Sequence, residues 1–151
     1  NMASKTSKKK KDKPYYVNPK EFTQDIIKYY DSGSDQIGEQ LGTNIFKIAT
    51  GLSYAPNFIN YSYKDDMVGD AIVKMFSALQ SKKFNIDSGN NPFSYFTTIA
   101  YHAFINRIKK EKKHHQTITS YKEKVYEEYM TDPRNTHGTV YVKPIDDDSQ
   151  Y

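Results

Sequence analysis

The sequence predicts a mostly α-helical fold, a small bundle of four to five helices with a disordered tail at each end. Three observations predict it. Apolar residues recur at helical spacing through most of the chain between residues 19 and 130. Asn-Pro, a capping side chain followed by a proline suited to the first helical turn, occurs at Asn18-Pro19 and again at Asn91-Pro92. Both ends lack apolar periodicity, so the expected divisions are a disordered basic tail over 1–13, a helical domain over 14–131 and a flexible acidic tail over 132–151.

Taken in order, the first helix starts at Pro19, carries Phe22, Ile26, Ile27 and Tyr30 at helical spacing, and stops at Ser32-Gly33. A second runs from about Asp35 through Ile37, Leu41, Ile45, Ile48, Ala49 and Leu52. Its glycines Gly38, Gly42 and Gly51 each weaken it by roughly 1 kcal/mol relative to alanine. Residues 53–62, with Pro56 and scattered aromatics, read as a loop. The clearest stripe follows over 64–83: Met67, Val68, Ala71, Ile72, Met75, Phe76 and Leu79. Asp65 and Asp66 in its first turn and Lys82 and Lys83 in its last suit the helix dipole. After a turn over 85–92, Phe93, Phe96, Ile99, Ala100, Ala103, Phe104 and Ile108 line a helix that ends in the basic run 107–113. A separate amphipathic stretch covers about 119–130. Thr139-Val-Tyr-Val-Lys reads as one short extended segment and Asp146-Asp-Asp as an acidic tail.

Composition excludes several classes of function. There is no cysteine, so disulfide scaffolds, thiol catalysis and cysteine zinc sites are ruled out. No apolar run is long enough to span a bilayer and no secretory leader is visible, so no membrane role is expected. Leu, Ile, Val and Phe make up only about a fifth of the chain, which predicts a small core. No glycine-rich phosphate loop is present, and His114-His115 are adjacent, pointing about 100° apart on a helix, so they cannot chelate one ion together. No catalytic residue, metal or cofactor is therefore assigned, and an enzyme is not expected. The net charge of +4 hides two basic blocks, residues 1–13 and 107–113, which point to a polyanionic partner.

The helix over 92–113 carries the chemistry. Tyr95, Tyr101, His102 and Asn106 offer rings and hydrogen-bonding groups off the apolar stripe, and Arg107, Lys109, Lys110, Lys112 and Lys113 follow as cations. Exposed rings stack on unpaired bases, cations neutralise phosphates, and Asn or Arg can read base edges. The same residues also fit a bland alternative: partly buried tyrosines and a basic run that complements a helix C-terminus. Opposite the stripe of the 64–83 helix lie Asp66, Gly69, Asp70, Val73 and Ser77.

Asp65-Asp-Met-Val-Gly-Asp-Ala-Ile, then Tyr95-Phe-Thr-Thr-Ile-Ala and Ile105-Asn-Arg-Ile-Lys-Lys, resemble in order and spacing region 2 of bacterial sigma factors. Within that superfamily, Asn91-Pro-Phe-Ser-Tyr through Ala103-Phe-Ile-Asn-Arg-Ile-Lys-Lys-Glu-Lys-Lys is similar to the late-transcription sigma factors of T-even-like phages. The resemblance covers about residues 54–115, is weaker over 14–53, and departs from the family at Gly69, where glutamine is usual, and near Ile99 and Ala100, where primary factors carry tryptophans.

The resemblance implies a phage sigma factor that binds host core RNA polymerase and directs recognition and opening of an AT-rich minus-ten element at late promoters. It implies that Asp66, Gly69, Asp70, Val73 and Ser77 meet the clamp coiled coil of the beta-prime subunit. Tyr95, Tyr101, His102, Asn106, Arg107, Lys109, Lys110, Lys112 and Lys113 would meet promoter DNA, including the non-template single strand. The cytoplasm of the infected bacterial host is the implied location, and a phage sliding clamp is a further partner for the C-terminal tail, although Ile145-Asp-Asp-Asp-Ser-Gln-Tyr151 is poor in apolar residues. Two alternatives stay open: a generic nucleic-acid-binding helical module, and a transcription adaptor protein that does not touch DNA.

Overall fold

The computed structural model describes residues 13–132. The expected tails, with the 139–143 segment, the acidic run and the sliding-clamp attachment, lie outside the described residues apart from Lys13 and Asp132. The chain divides into two compact units, Asn1–Arg107 and Ile108–Tyr151. The described residues form four α-helices and one short 3-10 turn, with no strand among them. Among them, too, no helix is long and apolar enough to cross a membrane.

Helix α1 spans Pro19–Ser32. The Asn18 carboxamide accepts from the amides of Lys20 at 3.0 Å and Glu21 at 3.2 Å, satisfying two of the donors that a helix start leaves without partners. Gly33 ends the helix at φ +65°, a left-handed conformation that glycine adopts without a Cβ penalty. Phe22, Ile26 and Tyr29 are buried, one step of the helix apart. The inward face is thus turned slightly from the expected one: Ile27 is exposed, and Tyr30 is half-buried with its hydroxyl donating to the Phe84 carbonyl at 3.1 Å. Burial pushes the Tyr30 phenol above its ordinary pKa.

Helix α2 spans Glu39–Ser53 and begins later than the apolar pattern suggests. The Asp35 carbonyl explains the delay, because it accepts from the Tyr29 hydroxyl and from Gln80 Nε2, both at 3.4 Å, instead of entering a helix. Leu41, Ile45, Ile48 and Ala49 face the core, and α2 packs on α1 on one side and on α3 on the other. Gly51 sits at a close approach: a Cβ there would stand 3.1 Å from Tyr15 Cβ, tighter than ordinary van der Waals contact.

Helix α3 spans Lys64–Gln80 and buries Met67, Ala71, Met75, Ala78 and Leu79. It ends before Lys82 and Lys83, which the sequence places in its last turn. Lys82 turns the chain at φ +51°, with its amide bonded to the Leu79 carbonyl at 3.0 Å and its Nζ to the Tyr30 carbonyl at 3.1 Å. After the 3-10 turn Ile86–Ser88, α4 spans Pro92–Thr131. The two expected stretches, 92–113 and 119–130, are one helix because no glycine or proline lies between Phe93 and Asp132 to interrupt it. Residues 92–107 of α4 belong to the first unit; the described part of the second is helix up to Thr131.

The core of the first unit is aromatic. Phe22 of α1 meets Phe96 of α4 edge-on, with centroids 5.8 Å apart. Phe84 lies 6.3 Å from the same ring. Phe58, in the segment expected as a plain loop, is 2% exposed and packs edge-on against Phe104 at 5.1 Å. Truncating Phe96 removes the ring common to two of these contacts. Phe96→Ala is expected to cost about 3–5 kcal/mol, read as a lower midpoint in urea with the slope of the transition unchanged.

Candidate functional site

On α3, the residues expected to meet polymerase share the face opposite Met67, Ala71 and Met75. Asp66, Gly69, Val73 and Ser77 are exposed, and Val73 is 68% exposed despite being apolar. Nothing lies within 4 Å of the place a Cβ would take on Gly69, so the backbone there is open to an approaching partner. Asp70 is different. Its carboxylate accepts two bonds from one guanidinium: Arg107 Nε to Oδ2 at 2.6 Å and Arg107 Nη2 to Oδ1 at 2.8 Å.

This pair joins one residue from each of the two expected interfaces. The guanidinium matches a carboxylate in fork-to-fork geometry, which fixes orientation as well as distance. The side chains are 20% and 35% exposed, so the pair is partly screened from water. It clasps α3 to the end of the α4 segment in the first unit. Both Asp70 oxygens and two of the Arg107 nitrogens are thereby committed within the chain. The sequence singled out both residues but assigned them to different partners. Their 37-residue separation carries no signal that they meet.

On the first-unit part of α4, the expected DNA-facing residues divide into two groups. Tyr95 is half-buried, with its ring 5.1 Å from Phe84 and 5.2 Å from Phe96. It serves the core as much as the surface. Tyr101 is 41% exposed, one edge resting on Phe58 at 5.6 Å, and His102 beside it meets its ring at 5.9 Å. His102 and Asn106 are exposed and one helical turn apart, so an imidazole and a carboxamide share one solvent face with the Tyr101 ring close by. In the second unit, Lys109, Lys110, Lys112 and Lys113 are all exposed.

The first unit also holds an aromatic group that the sequence did not disclose. The rings of Tyr15 and Tyr54 stack at 5.5 Å with 19° between planes, and Lys64 Nζ stands 4.6 Å from the Tyr54 centroid. Tyr54 remains 50% exposed. No spacing rule links residues 15, 54 and 64; Tyr15 lies against Gly51, with its Cβ 3.1 Å from the place a Cβ there would take. Among the described residues, no group of three or more His, Asp or Glu side chains could hold a metal ion.

Removing Asp70 leaves a partly buried guanidinium without the acceptor it grips. Asp70→Ala is expected to cost about 1–3 kcal/mol, and Arg107→Lys should recover little of the pair because an ammonium cannot form the fork. A double-mutant cycle on Asp70 and Arg107 by urea unfolding measures the coupling; additive losses would mean that the clasp is energetically idle.

Comparison with models of known protein families gives no match, and comparison with curated proteins gives none either, so function has to be argued from these residues.

Proposed function

We propose that this chain is a sigma-factor-like transcription protein of a bacteriophage, which binds host core RNA polymerase and directs opening of an AT-rich minus-ten element at late promoters. The observation that carries the reading is the exposed face of α3. A helix in a chain with a small core leaves Asp66, Gly69, Val73 and Ser77 to solvent, with a bare backbone at Gly69 and a valine outward. Exposed valine beside carboxylate is what a basic, partly apolar coiled coil would cover. The resemblance to sigma region 2 falls on the same helix.

In this reading the parts differ in role. Asp66 and Val73 dock the polymerase clamp. Asp70 and Arg107 act as an internal clasp that fixes the docking helix to the DNA-facing one, so neither is the main contact to its expected partner. Tyr101, His102 and Asn106 meet bases of the non-template strand, by stacking and by hydrogen bonds to base edges. TA steps unstack easily, which suits an AT-rich element. Lys109, Lys110, Lys112 and Lys113 attract phosphate without regard to sequence. The protein would then act in the cytoplasm of the infected host.

Asp66→Lys combined with Val73→Asp should abolish co-purification with core polymerase while helix content by circular dichroism is unchanged. Retention at moderate salt would remove the docking assignment, and binding to DNA without polymerase would favour the generic nucleic-acid module instead. On the other face, His102→Ala with Asn106→Ala should lower the preference for a true minus-ten strand over a scrambled one by about tenfold, whereas Lys110→Ala should weaken both alike and reduce the salt slope by about one unit. Equal losses on the two strands from the His102 and Asn106 changes would show that this face does not read bases.

A further inference from the structure

The second unit poses a separate problem. Its described residues, 108–132, form a helix up to Thr131, yet a stripe along it is apolar and open to solvent. Ile118 is 38% exposed, Tyr121 68% and Val125 44%. With about 3.6 residues per turn, these three fall within one narrow strip, and His114 and Tyr129 continue it at either end. Helices of this kind draw most of their stability from covering such a strip rather than from propensity. The charges beside the strip are unevenly spread along it. The N-terminal end of the second unit is basic, with Lys109, Lys110, Lys112 and Lys113 against Glu111, while Glu123, Glu127, Glu128 and Asp132 outnumber Lys122 and Lys124 towards its C-terminal end.

We propose that this strip is a self-association surface: two copies of the chain pair through residues 110–129 of α4, antiparallel, with the two-fold axis between Thr119 and Ser120. That register is the one the residues favour. It sets Ile118 of each copy on Tyr121 of the other at the centre, and Val125 on His114 one turn outward. In an antiparallel pair the same flank of each helix faces its copy, and Lys110 and Glu128 lie on one flank, both exposed. The register brings Lys110 of one copy to within one residue, about 1.5 Å of helix rise, of the level of Glu128 of the other, twice over by symmetry. A parallel pair would instead lay the two basic ends side by side and the two acidic ends side by side, and would leave Lys110 of one copy about 27 Å along the axis from Glu128 of the other, so that this attraction is lost. Charge therefore selects the second copy and its direction, while the apolar strip supplies the area. The pairing is independent of the transcription reading, because it uses the strip rather than the α3 face or His102 and Asn106. It does engage Lys110, so a paired molecule would offer one fewer cation to a polyanion.

The test is sedimentation velocity of the full chain from low micromolar to near-millimolar concentration. A monomer–dimer equilibrium is expected. Val125→Glu, a surface change to a good helix former, should raise the concentration for half-association by about tenfold or more without loss of helix content. Glu128→Lys should weaken association, and adding Lys110→Glu to it should restore it. Direction is read separately. The chain has no cysteine, so single-cysteine variants report cleanly. Oxidation of a mixture of His114→Cys and Val125→Cys proteins should give mainly the mixed disulfide dimer. Predominant Val125→Cys homodimers would overturn the antiparallel register. A monomer at every concentration, or no rescue by the charge exchange, would overturn the self-association and leave the strip to residues 133–151 or to another protein.

Discussion

The edge-on contact of Phe22 with Phe96 links the first helix to the last element of the first unit, and much else follows from the use of aromatic rings there. The chain has few leucines, so phenylalanine and methionine fill its core. Phe22, Phe96, Phe104, Met67 and Met75 are among the largest fully buried side chains. Rings reach further than branched aliphatics and meet edge to face with directional preference. A residue outside any helix can therefore enter the core, as Phe58 does against Phe104. The same property draws Tyr95 inward. With Phe84 and Phe96 on either side, its ring gains contacts that a lone surface tyrosine lacks.

What could be read in advance was local. Asn18-Pro19 and Asn91-Pro92 marked helix starts correctly because a capping carboxamide bonds amides two or three residues on, and both partners are adjacent in sequence. The outward face of α3 was legible for a similar reason, since burial of Met67, Ala71 and Met75 determines which positions turn away. Non-local features were hidden. The late start of α2 depends on Tyr29 and Gln80 claiming the Asp35 carbonyl from other elements. The single long α4 was missed for a different reason. The polar run His114-His115-Gln116 resembles a break in the apolar pattern, but polarity alone does not end a helix when no glycine or proline is present.

The clasp between Asp70 and Arg107 bears most directly on function. The chain has twenty lysines and two arginines, and the arginine within the described residues sits where a fork is needed. A lysine at that position would supply charge but not the paired bonds that set the angle between helices. The sequence places Arg107 in the basic run that points to a polyanion. The geometry gives its guanidinium a partner within the chain, the Asp70 carboxylate that joins α3 to α4.

That reassignment changes how selectivity must arise in the proposed function. With the guanidinium held by Asp70, the exposed cations at Lys109, Lys110, Lys112 and Lys113 are all ammonium groups. An ammonium is a strongly hydrated point charge, and its attraction to phosphate is long-ranged, salt-sensitive and indifferent to base. Discrimination is left to the few groups with direction: the His102 imidazole, the Asn106 carboxamide and the Tyr101 ring. Tyr101 is braced on Phe58, so its orientation is held by the core while 41% of it faces solvent. A braced ring loses less conformational freedom on stacking than a mobile one, and more of the stacking energy appears as binding. The aromatic core thus does two jobs with one residue: Phe58 closes the packing around Phe104 and holds in place the ring best suited to meet a base.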